Sequence, residues 1–148
     1  MLSRQAALIY AMATAASAQR AITAAEIAMI GDLVDHLPIF SGIDREKAVE
    51  IAGDCLEQLD RPGGIDRVSG QIREALSTRL RDAAYALCCD VIVAGCRLRR
   101  DRTEALERVR AQLEVNPASA RVIERLAWLR WASPACQSHE LWSTGPHP

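Results

Sequence analysis

The 148-residue chain reads as all-α: a compact bundle of about seven helices built from two related helical repeats. Three observations lead there. Apolar residues recur at the 3.6-residue period along nearly the whole chain. The punctuation between these stretches consists of helix caps rather than hairpin turns. The β-branched and aromatic residues that strands require rarely cluster, and aromatics make up only 4% of the chain. Hydrophobic residues at 49% and charged ones at 25%, with 8 Gly and 6 Pro, describe one globular domain with enough apolar surface for a core. No apolar run approaches the ~20 residues of a membrane span. Abundant alanine points to helices packed closely on small side chains.

The first helix runs from about Ser3 to Ala18. Thr23 followed three residues later by Glu26 is a capping box, and Ile27, Ile30, Val34 and Leu37 then share the inner face of a second helix that Pro38 ends. Asp44 caps a third helix with an inner stripe of Ala48, Ile51, Ala52, Cys55, Leu56 and Leu59, stopped by Arg61-Pro62-Gly63-Gly64. A shorter amphipathic helix carries Ile65, Val68, Ile72 and Leu76. A long one follows from about Ser77 to Gly95, with Leu80, Ala84, Leu87 and Val91 inward. Its middle has almost no polar face, so it is expected to be the central, most buried element. Asp101 with Glu104 reads as the next start signal, with Asp101 as N-cap and Leu106, Val109 and Leu113 inside. Asn116-Pro117 supplies a cap and a first-position proline for a last helix through Val122, Ile123, Leu126 and Leu129 to about Ala132. The domain is thus expected over 1–132. Residues 133–148 carry Gly, Pro and His without a period and read as an irregular tail.

Charge excludes little by its total, 18 basic against 19 acidic groups, but it is uneven. Residues 1–78 hold 7 basic and 11 acidic groups, and 79–148 hold 11 and 8. Neither half is a nucleic-acid footprint. Five cysteines without regular spacing fit a reducing cytoplasm better than a disulfide framework. The minor alternative is export, because Arg4, the apolar stretch Ala6 to Ala13 and Ala16-Ser17-Ala18 resemble a signal segment. Against it, that stretch is mostly alanine and continues smoothly into a helix the fold needs.

A shift of 76 lays one helix pair over another: Ala18 on Ala94, Ile22 on Leu98, Ile30 on Leu106, Leu33 on Val109 and Leu37 on Leu113. Each copy is a small-residue-rich helix, a loop and a capped helix. The first stands as Ala18-Gln19-Arg20-Ala21-Ile22-Thr23-Ala24-Ala25-Glu26, the second as Ala94-Gly95-Cys96-Arg97-Leu98-Arg99-Arg100-Asp101-Arg102. With Leu33-Val34-Asp35-His36-Leu37-Pro38-Ile39-Phe40 and Arg79-Leu80-Arg81-Asp82-Ala83-Ala84-Tyr85-Ala86-Leu87, this resembles the TerB family associated with tellurite resistance, over roughly residues 5–130. The resemblance implies an all-α domain of bacterial stress physiology, without established enzymatic activity, whose acidic loop residues are proposed to bind divalent cations. The acids in or near matching places are Glu26, Asp90 and Asp101, the candidate ligands for Ca²⁺ or Mg²⁺. Gln19 and Gly95 stand where the family carries aspartate, and a hard cation needs six to eight oxygens, so the expectation is that no cofactor is held.

Other constellations are weaker. Cys89 and Cys96 lie two helical turns apart, too far for one metal, and read as buried apolar thiols. Cys136 with His139 makes only half a zinc site. Arg97, Arg99, Arg100 and Arg102 form a basic cluster suited to an anionic partner, or to pairing with nearby acids in solvent. Trp128 and Trp131 flank a candidate partner patch, with core packing or docking of the tail as the plain alternative. No phosphate loop, HExxH or nucleophile elbow is present, so no enzyme is expected. The sequence therefore reads as a non-enzymatic adaptor meeting an unknown protein partner through Trp128, Trp131, Arg99 and Arg100. Nucleic acid is excluded as partner, no membrane span is expected, and a homodimer stays open. The alternatives are a divalent-metal sensor and, last, a cysteine-dependent enzyme or redox protein.

Overall fold

A computed structural model describes residues 1–18 and 20–131 of the chain. Among them the elements are α1 (Arg4–Ser17), α2 (Ala24–His36), a 3-10 turn (Pro38–Phe40), α3 (Arg45–Leu59), α4 (Gly64–Ala75), α5 (Thr78–Ala94), α6 (Arg99–Leu113) and α7 (Pro117–Trp131). The described residues are thus all-helical, in a bundle of seven α-helices, and no helix is long and apolar enough to cross a membrane.

The local signals explain most boundaries. Ser3 caps α1 by accepting the Ala6 N–H at 3.0 Å. Thr23 and Glu26 close the expected capping box on α2. Asp44 accepts the Lys47 N–H at 2.8 Å, and Ser77 caps α5. The Asn116 carboxamide oxygen accepts from the Ala118 and Ser119 N–H groups at the start of α7. Between α3 and α4 the chain turns so tightly that a Cβ on Gly64 would meet the Gln58 carbonyl oxygen at 2.1 Å, and Gly63 takes a left-handed φ of 70°. One cap differs. α6 begins at Arg99 behind an extended Leu98, whose carbonyl accepts the Arg102 N–H, so Asp101 lies inside the first turn. There its charge complements the helix dipole instead of capping the helix.

α5 is central, touching α1, α2, α6 and α7. α1 shares that place: every residue from Ala7 to Ala16 is buried, because alanines at half of these positions let α3, α4 and α5 approach it closely. Polar groups lock α1 to α3, with Gln58 donating to the Tyr10 hydroxyl and Thr14 Oγ1 lying 3.5 Å from Cys55 Sγ. The 3-10 turn is held to the start of α1 by Gln5, which donates to the Ile39 and Ser41 carbonyls. Leu106, Val109 and Leu113 are buried as their period predicts, whereas Ile27, assigned to the inner face of α2, is exposed. It lines an apolar groove of about 280 Å³ between α2 and α3, together with Ala48, Ala52 and Gly53.

Candidate functional site

The first turn of α6 and the second half of α7 meet over the C-terminal half of α5. Arg99, Arg102 and Thr103 come from α6, and Glu124, Arg125 and Trp128 from α7. They surround a pocket of about 300 Å³ whose floor is Cys89, Val93 and Leu106. The Arg102 guanidinium lies over the Trp128 ring at 4.4 Å, a cation–π contact that stiffens two otherwise flexible side chains. Burial, assisted by the charge of Glu107, raises the Glu124 carboxyl above its ordinary value. Of the four residues the sequence singles out for partner binding, the fold brings Arg99 and Trp128 to this pocket. Arg100 points to solvent and faces Glu104 at 3.8 Å, and Trp131 sits beyond the pocket, hydrogen-bonded to Asp90.

Beside the pocket, α7 turns a second apolar face outward. Its alanine side, Ala120 and Ala127, is buried against the bundle, with Ile123 and Trp128 packed beside them. Its opposite side leaves Val122 60%, Leu126 49% and Leu129 69% exposed, and Trp131 at the helix end is 41% exposed. Arg121, Arg125 and Arg130 border this stripe, and its one acid, Glu124, lies at the pocket instead. The spacing of four and three between Val122, Leu126 and Leu129 was present in the sequence. Periodicity, however, does not say which of two apolar faces the core covers.

The three candidate metal ligands are not gathered. Glu26 is fully buried at the entry to α2, where its carboxylate accepts from Thr23 N at 2.9 Å, Thr23 Oγ1 at 3.0 Å and Arg20 Nη1 at 3.2 Å. Arg97, buried as well, donates to it through Nε at 3.3 Å and Nη2 at 3.0 Å. The same guanidinium caps the end of α1 by donating to the Ala15 and Ala16 carbonyls. Gly95 is required at this point, since a Cβ there would stand 2.6 Å from Glu26 Oε2. Asp90 lies on α5 with Arg130 at 2.9 Å, and burial raises its carboxyl despite that partner. Asp101 is on α6. Among the described residues no three His, Cys, Asp or Glu side chains lie where they could hold a metal ion. The sequence gives no sign of Arg97's role, because its partners lie 71 and more residues away.

The thiols divide. Cys55, Cys88 and Cys89 are free and buried. Burial pushes Cys55 up to about 11 and raises the other two further, so all three are held as thiols. Cys96, read from the sequence as a buried thiol, is instead exposed at a left-handed φ of 51° just past α5 and is disulfide-bonded. The physical reason is its place in the link: α5 ends at Ala94, so the helix face shared with Cys89 does not extend to it. Cys136, His139 and Gln19, with the whole proposed tail, lie outside the described residues. Searches against protein-family models, curated proteins and solved structures match nothing to this chain.

Proposed function

We propose that this chain is a non-enzymatic helical interaction module that works through protein contacts, and that its contact surface is the α6–α7 corner with the outer face of α7. The observation that carries the reading is the stripe Val122, Leu126 and Leu129, which the bundle leaves in solvent beside an arginine-lined pocket. Large aliphatic side chains aligned on one exposed helix face gain most by being covered, and interface cores favour such groups together with Trp and Arg. The burial of Cys55, Cys88 and Cys89 speaks against any of these three as the nucleophile of the cysteine-dependent alternative. The arginine pairing of Glu26 and Asp90 speaks against the metal sensor.

As for its biological setting, we place the chain with TerB-like proteins of the bacterial tellurite-resistance type. The order α1-α2-α3 before α4 and α5-α6-α7 after it is in keeping with the two-repeat reading. The test is complementation under tellurite in a strain lacking the gene. The wild-type chain is expected to restore growth, and a Leu126→Asp/Leu129→Asp variant that accumulates to the same level is expected not to. Restoration by the variant would remove α7 from the function, and no effect of the wild type would remove the stress assignment.

A further inference from the structure

Resting on the interaction reading above, we infer that the partner element docked on α7 is an acidic amphipathic helix rather than a second copy of this chain. Val122, Leu126 and Leu129 follow at the d, a and d spacing of a two-helix seam. In that register Arg125 precedes Leu126 at position g and Arg130 follows Leu129 at position e. Both borders of the seam are therefore guanidinium groups, and neither is deeply buried. Arg125 is exposed, and Arg130 keeps 47% of its side chain exposed while one Nη holds Asp90.

This arrangement decides between occupants. In a parallel self-pair, position g of one helix faces position e of the next heptad on the other, which sets Arg125 against Arg130 on both sides. In an antiparallel self-pair, g faces g and e faces e, which sets Arg125 against Arg125 and Arg130 against Arg130. Each orientation juxtaposes like charges, and like-charge juxtaposition is how coiled-coil surfaces reject a partner. A helix with leucine on its seam and glutamate at its own e and g positions satisfies both borders at once. The apolar stripe is one seam wide, which suits a single helix crossing it.

The experiment uses the full chain and two fluorescent synthetic peptides about three heptads long, both with leucine at a and d, one with glutamate and one with lysine at e and g. Fluorescence anisotropy at low salt is expected to show binding of the glutamate peptide and roughly tenfold or greater weakening for the lysine peptide. Arg125→Glu, which leaves one acidic and one basic border, is expected to erase the wild-type preference by weakening the glutamate peptide and strengthening the lysine peptide, and Leu126→Asp to abolish binding of both, with circular dichroism showing each variant folded. Equal binding of the two peptides by the wild-type chain, or binding of neither, overturns the inference. So does a wild-type chain that sediments as a dimer and is dissociated by Leu126→Asp. If neither peptide binds while a protein is still crosslinked to position 126 in the cell, the interaction reading stands and the acidic-helix assignment alone falls.

Discussion

Gly95→Ala gives the most discriminating test of the fold's polar centre. Gly95 sits at φ −71°, ψ −8°, ordinary right-handed backbone that alanine adopts freely. Backbone considerations alone therefore predict a gain of about 0.4–1 kcal/mol. The surroundings predict the opposite sign. The new Cβ would stand 2.6 Å from Glu26 Oε2 and 2.9 Å from its Cδ, well inside contact distance. Glu26 has nowhere to swing, being fully buried and held by Thr23, Arg20 and Arg97. Pulling its carboxylate from Arg97 leaves uncompensated buried charge, which costs about 3–5 kcal/mol. Less the backbone gain, the net loss is about 2–4 kcal/mol, a fall in Tm on the order of 10 °C for a chain of this size. Thermal unfolding followed by far-UV circular dichroism measures it. In a Glu26→Ala/Arg97→Met background, where the pair is removed together, the same Gly95→Ala change should be neutral or stabilising. A Tm for the single variant equal to or above wild type would show that Glu26 can leave Arg97 without cost.

Three further outcomes follow from the same structure. Thr23→Ala removes the N-cap of α2 and one donor to Glu26, so it should cost about 1–2 kcal/mol by denaturant unfolding, and a loss too small to measure would mean the box is decorative. Glu124 has its carboxyl raised in the fold, chiefly by burial, so the folded state binds that proton more tightly than the unfolded one, and stability falls as pH rises from the ordinary glutamate value through the raised one. Glu124→Gln should accordingly raise Tm at neutral pH and leave it unchanged in acid below the ordinary value, and a lower Tm at neutral pH would show the charge to be favourable. Native protein treated with iodoacetamide at mildly alkaline pH should leave Cys55, Cys88 and Cys89 unmodified by mass spectrometry until denaturant is added, because burial holds them protonated and covered.

Caps and periods are local, and they made the helices legible. Thr23, Asp44 and Asn116 act where their spacing places them, and the apolar middle of the long helix marks the centre of the bundle. What stayed hidden depends on tertiary choice. α7 carries two apolar stripes, and the bundle takes the alanine side because small side chains allow close approach to α5. Val122, Leu126 and Leu129 are left outside for that reason. Arg97 looks like one member of a basic loop cluster, and only the fold carries it back to the end of α1 and to Glu26. Asp101 carries a cap residue's chemistry, but Leu98 starts the helix three positions earlier. The partner-binding residues read from the sequence lie on α6 and α7, while the exposed stripe on α7 is defined by what the core leaves uncovered.

The proposed role of α7 requires that its outer face meet another protein. A photo-crosslinking amino acid placed at position 126, and for comparison at the exposed position Glu50 on α3, tests it in living cells. A discrete protein adduct is expected at 126 that is absent at 50 and lost when Arg125→Glu is added. Adducts at neither position, or the same adducts at both, would contradict it.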